Sequence, residues 1–223
     1  MRLHGQAATV SHTLLPVELR HVRPVQPLLF DVGSNPEWND LGQTQIHLRI
    51  CFLLFELLEL ATTKQDTIGC DQFVFYDASN PKKCLAPDGF VKLGVRPKNW
   101  SSWRIWEHGA PELCVEVVSG SDREPIPMKE KLVRYRTLGT RELVLFDHEA
   151  KAGNRLRVFD RIEGDFVERV VENDRTPCLT LGLHWVVAPA PELDVALRLA
   201  KDAEGADLLF SAKEQLEKLK ATR

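Results

Sequence analysis

Between Glu112 and Ser119 the chain reads ELCVEVVS, a continuous apolar run interrupted only by Glu116. Such a run suits a central strand covered on both faces, the kind found where helices pack against a sheet. A carboxylate there costs at least several kcal/mol unless something compensates it. Glu116 therefore predicts a salt-bridge partner, a raised pKa or a bound cation. An arginine making a buried ion pair is the plain structural answer. A cation is the functional one.

The rest of the chain supplies elements to cover that strand. Residues 1–40 are broken by Pro16, Pro24, Pro27 and Pro36 and read as an irregular segment packed on the domain. Asn39 or Asp40 is a candidate cap for a helix running to about Thr62. Its stretch Ile46 to Leu60 is very apolar, but it is shorter than the ~20 residues a bilayer needs and carries Arg49, Glu56 and Glu59. A helix buried on most sides is expected.

Strands are expected at Cys70–Asp77 and Gly89–Leu93, with a long irregular loop from Gly94 to Gly109. Next come a helix from about Pro127 to Leu138 capped by Gly139, a strand in RELVLFD, and a hairpin around EGD. A final amphipathic helix over Glu204–Lys220 would bury Leu209, Ala212, Leu216 and Leu219. The fold class is α/β: a mixed central sheet flanked by helices, with an antiparallel C-terminal extension. Residues 41–190 form the domain and residues 191–223 a C-terminal helical extension.

Two further residues bear on Glu116. Asp88 lies in APDGF at the edge of a short strand. Alone it is a turn residue. On a strand beside Glu116 it makes a pair of carboxylates able to share a hard cation such as Mg²⁺. Lys131 is the other. At about 100° per residue it falls inside the arc of Met128, Leu132, Tyr135 and Leu138, roughly 60° from Met128. A lysine facing inward needs an anion; otherwise it snorkels over apolar surface.

These pieces together resemble the Uma-type restriction endonuclease family of the PD-(D/E)xK nuclease superfamily. Pro87-Asp88, Glu116-Val117-Val118-Ser119, Lys131 with Tyr135 and Gly139, and a strand ending at Asp147 follow in the family's order and spacing, over roughly Gln45 to Val187. The resemblance implies a restriction-endonuclease-like fold and Mg²⁺-dependent hydrolysis of DNA phosphodiester bonds, with Mn²⁺ able to substitute. Asp88, Glu116 and the carbonyl of Val117 would bind the metal, with Asp88, Glu116 and Lys131 catalytic. Asp122 and Asp147 would shape a loop and a strand end. A homodimer acting on DNA, away from membranes, fits that class. Val118 stands where the superfamily usually has its lysine, so Lys131 would take that place. LLFDVGSNPEW stands where the family has its E-L-x-x-G-E element.

The formal charge of −3 argues against a strongly basic DNA-binding surface. One local exception is KLGVRPKNWSSWR, where Lys92, Arg96, Lys98 and Arg104 accompany Trp100 and Trp103, with Trp106 just after. This loop either holds a polynucleotide by charge and stacking or packs its tryptophans on the core. A catalytically inactive nuclease-fold protein that binds nucleic acid or protein is the alternative reading of the whole. The five cysteines lack CxxC spacing and the N-terminus lacks a signal-peptide pattern, as expected of a reduced, cytoplasmic protein. No HExxH, GxGxxG or Walker loop offers another chemistry.

Overall fold

The computed structural model describes residues 44–118 and 128–221. The irregular N-terminal segment, the candidate caps Asn39 and Asp40, and Asp122 lie outside the described residues.

Helix α1 (Gln45–Ala61) begins at Thr44, whose side chain accepts a hydrogen bond from the His47 backbone N–H. Strands β1 (Thr67–Gly69), β2 (Val74–Phe75), β3 (Cys84–Leu85), β4 (Gly89–Lys92) and β5 (Trp103–Arg104) lead to the short helix α2 (Ile105–His108) and β6 (Leu113–Val118). Helix α3 (Met128–Leu138), β7 (Glu142–Asp147), β8 (Leu156–Ile162) and β9 (Asp165–Glu168) follow. Then come β10 (Arg175–Cys178), β11 (Leu183–Ala190), β12 (Leu193–Ala200) and α4 (Ala212–Ala221).

The central sheet runs β1-β4-β6-β7-β8-β9. It is mixed: β6 and β7 are parallel, joined across α3, and the other neighbours are antiparallel. β6 is central and buried along its length, as the apolar run requires. One face of the sheet meets α1 and the three-stranded sheet β10-β11-β12, through Leu54, Leu57, Val115, Val117, Trp185 and Leu197. The other meets α3 and the small sheet β3-β2-β5, through Phe90, Trp103, Cys114, Tyr135, Leu138 and Leu145. A Cβ on Gly89 would come within 2.9 Å of the Leu54 side chain, so α1 crosses closely over the start of β4. Gly139 ends α3 at φ +100°, its N–H bonded to the Tyr135 carbonyl.

The mixed α/β class holds, and several local expectations need correction. The segment from Cys70 to Asp77 is strand only at Val74–Phe75, because Asp71 sits at φ +50° and breaks the extended run. The loop after Gly94 contains β5 and α2. The C-terminal segment is not a helical extension throughout: residues 193–200 form β12, inside the three-stranded sheet. The last helix starts at Ala212 rather than near Glu204. Asp202 accepts backbone hydrogen bonds from Ala206 and Asp207, and the turn passes through Gly205 at φ +77°. Leu209 then bonds to the Leu199 carbonyl, extending the sheet edge. Ser211 and Glu214 form a reciprocal capping box at the true start. Leu216 and Leu219 consequently face outward, at 52% and 67% exposure, instead of lining a core stripe.

Candidate metal and catalytic centre

The antiparallel pairing of β4 with β6 sets Gly89 opposite Val115, so Asp88 leads into β4 at the level of Glu116. Both carboxylates are buried, at 6% and 5% exposure. Asp88 Oδ2 accepts the Val117 backbone N–H at 2.7 Å, tying the carboxylate to β6 just past the end of the β4 ladder. Asp88 Oδ1 faces α1, 2.9 Å from His47 Nε2 and 3.6 Å from Cys51 Sγ. Glu116 faces α3 instead: Lys131 Nζ donates to its Oε2 at 2.7 Å, and the Tyr135 hydroxyl donates to its Oε1.

Each carboxylate is thus held by two side chains one helical turn apart, His47 and Cys51 on α1 and Lys131 and Tyr135 on α3. The two helices approach from opposite faces of the sheet. Burial raises the Glu116 pKa. Lys131 opposes that shift, and the negative charge of Asp88 adds to it. The two acids therefore feel each other's charge, while no arginine partners either of them among the described residues. Burial, followed by the charge of Glu116, holds the Tyr135 hydroxyl well above its ordinary range, so it stays a donor. Burial also raises the Cys51 thiol, with Asp88 adding to the effect.

The helical-wheel reading of Lys131 places it correctly on the inward face, its side chain only 14% exposed. Asp147 ends β7, and its carboxylate accepts from the N–H groups of Glu149 and Ala150, a turn-closing role. The basic, aromatic loop is largely satisfied within the molecule. Lys92 pairs with Glu112, Arg104 with Glu107, and Arg96 donates to Gln65. Trp103 is fully buried and packs edge-on with Trp100, while Lys98 lies over the Trp100 ring. Only Trp106 of the three tryptophans projects substantially, at 47% exposure.

Sequence reasoning missed His47, Cys51 and Asp71. His47 and Cys51 lie in a helix so apolar that both read as core. Their one signal is the four-residue spacing on a common face. Asp71 belongs to the same neighbourhood. Burial and then the Asp88 charge raise its carboxyl, and its backbone N–H bonds the Pro87 carbonyl.

Comparison with known proteins gives a family assignment. No curated protein matches the chain. Among solved structures, one described as a putative nuclease belonging to DUF820 from Anabaena variabilis ATCC 29413 aligns at 12% identity and a TM-score of 0.40. The alignment covers 78% of this chain and 79% of that one, a likeness too distant to carry fold or function. A family model matches residues 41–196, spanning α1, the central sheet and most of the three-stranded sheet. On that match the chain belongs to the Uma2 family, whose description reads "Putative restriction endonuclease".

Proposed function

We propose that this chain is a divalent-metal-dependent endonuclease that hydrolyses DNA phosphodiester bonds, with Asp88, Glu116 and Lys131 at its centre. The observation that carries this reading is a pair of buried carboxylates at one register level of β4 and β6, held by helices on opposite faces of the sheet yet near enough for the charge of Asp88 to act on Glu116, with a buried lysine on Glu116. The donor set fits a hard cation: Asp88 and Glu116 offer carboxylate oxygens, and the Val117 carbonyl is adjacent in the chain. Burial is the main cause of the raised Glu116 pKa, and the charge of Asp88 adds to it; a shared cation would relieve that added repulsion. When bound, Mg²⁺ or Mn²⁺ supplies activation of a water and neutralisation of phosphate charge.

The chain's own groups do the rest. The Val117 N–H fixes the orientation of Asp88. Tyr135 holds one oxygen of Glu116, leaving the other to Lys131. Lys131 is a cation that donates to Glu116 at the centre. It can orient a water or stabilise developing charge on a phosphate oxygen. It performs from α3 what the superfamily lysine does from the strand position occupied here by Val118.

The test is cleavage of plasmid and linear DNA with Mg²⁺ or Mn²⁺ by wild type and by Asp88→Asn, Glu116→Gln and Lys131→Met, each checked for native circular dichroism. Cleavage that depends on the metal and falls by about a hundredfold or more in each variant supports the proposal. Equal residual activity in wild type and variants refutes it. DNA retention without metal-dependent cleavage would instead identify a non-catalytic binding protein on the same fold.

A further inference from the structure

The oxygen of Asp88 that faces α1 meets a different set of donors. Its Oδ1 lies 2.9 Å from His47 Nε2 and 3.6 Å from Cys51 Sγ, and the three ligand atoms all lie within 4.8 Å of one another. All three residues are buried, at 7%, 4% and 6% exposure for His47, Cys51 and Asp88. We propose that His47, Cys51 and Asp88 form a site for a divalent transition-metal cation of the zinc class, distinct from the Asp88–Glu116 position.

The chemistry follows from the donor types. Imidazole nitrogen, thiolate sulfur and carboxylate oxygen together suit a borderline ion such as Zn²⁺ or Co²⁺ and are a poor set for Mg²⁺, which takes oxygen ligands. The geometry is near what such an ion requires. Metal–ligand distances of about 2.0–2.3 Å at tetrahedral angles put a carboxylate oxygen roughly 3.3 Å from an imidazole nitrogen and roughly 3.5 Å from a sulfur. The sulfur distance already matches. The imidazole must withdraw by about half an ångström, the change expected when a hydrogen bond gives way to coordination.

The placement is built by the fold. His47 and Cys51 stand one turn apart on α1, and α1 is held close over the start of β4 by the packing of Leu54 against Gly89. Asp88 is oriented from its other oxygen by the Val117 N–H, so Oδ1 is aimed at α1 independently of the metal. Among the described residues three protein ligands converge here, and a tetrahedral ion takes a fourth donor besides them. Loading displaces the Cys51 thiol proton to solvent. The site shares Asp88 with the nuclease centre but does not rest on the nuclease reading, because neither Glu116 nor Lys131 takes part.

The experiment is a Co²⁺ titration of the full chain, stripped with a chelator and kept reduced without thiols. It is followed by the near-ultraviolet thiolate-to-cobalt charge-transfer band. Wild type and Glu116→Gln should both develop a saturable band that Zn²⁺ displaces and excess Mg²⁺ does not. Cys51→Ser should lack it, and His47→Gln should weaken Co²⁺ binding by about tenfold or more. If Cys51→Ser fails to fold by circular dichroism, Cys51→Ala, which removes the sulfur without adding a polar group to the core face of α1, carries the same comparison. Absence of the band in wild type overturns the proposal. So does a band that persists without Cys51, which would place the ion on another thiol. Loss of the band in folded Glu116→Gln overturns it as well, by returning the ion to the Asp88–Glu116 position. A band in a protein that cleaves no DNA would leave this site standing and remove only the nuclease reading.

Discussion

Replacing Asp88 by alanine or by asparagine separates its structural role from its charge. The carboxylate accepts from Val117 N at 2.7 Å and lies 2.9 Å from His47 Nε2, with the Cys51 thiol a weaker third partner at 3.6 Å. Hydrogen bonds to a charged group contribute about 1.5–3 kcal/mol each, and alanine would leave the buried Val117 N–H with no acceptor from this side chain. Against that loss stands a smaller gain, relief of the repulsion between Asp88 and Glu116. The net expectation for Asp88→Ala is a destabilisation of about 2–4 kcal/mol.

Asparagine keeps an acceptor for Val117 and can turn its amide N–H groups toward His47 in the tautomer whose Nε2 accepts. Its cost should stay near ~1 kcal/mol. Urea unfolding in the presence of a chelator measures both without any contribution from bound metal. In thermal melts the alanine variant should fall roughly 5–15 °C below wild type. An alanine variant within about 1 kcal/mol of wild type would refute the assignment of Asp88 as the anchor between α1 and β6. An asparagine variant as damaged as the alanine one would show that charge, not hydrogen bonding, sets its contribution.

Two further variants test the scaffold. Glu214 is buried against Arg198, which is itself fully buried, and it also caps the Ser211 N–H, so Glu214→Ala should cost about 3–5 kcal/mol by chemical denaturation. Gly139→Ala should cost about 1–3 kcal/mol by the same measurement. Its φ of +100° is strained for alanine, and the new Cβ would stand 3.2 Å from Ala110 Cβ.

Much of the centre was legible because it follows from strand and helix periodicity. Glu116 announced itself as the one charge in a doubly covered strand, and Lys131 as the one cation inside an apolar helical arc. What stayed hidden depends on tertiary contact. His47 and Cys51 are unremarkable in an apolar helix until α1 is laid over β4. The three-stranded sheet β10-β11-β12 was not among the expected elements, and two of its strands carry a proline. Pro177 lies in β10 and Pro189 in β11, and prolines argue against strands in sequence. In the fold β10 is an edge strand, and Pro189 falls where the register shifts between Ala188 and Ala190. Those are the positions where a strand tolerates a residue without an N–H. The misplaced start of α4 has the opposite cause: Leu209 looked periodic, but its backbone was already committed to the sheet edge through Leu199.

The position of the lysine has a mechanical consequence. A lysine two residues beyond Glu116 would be carried by β6 itself and held as rigidly as the strand. Val118 removes that option, and Lys131 arrives from α3 instead. Its distance to Glu116 is therefore set by how α3 docks. That docking is fixed by Tyr135 and Leu138, both buried in the core beneath the helix, and by the turn at Gly139 that returns the chain into β7. Tyr135 does both jobs, packing α3 against the sheet and donating to the Glu116 carboxylate one helical turn from Lys131. The β6–α3–β7 unit thus couples the packing of one helix to the charge balance of the centre. A change that shifts α3 without touching Asp88 or Glu116 would alter the lysine's reach before it altered the carboxylates.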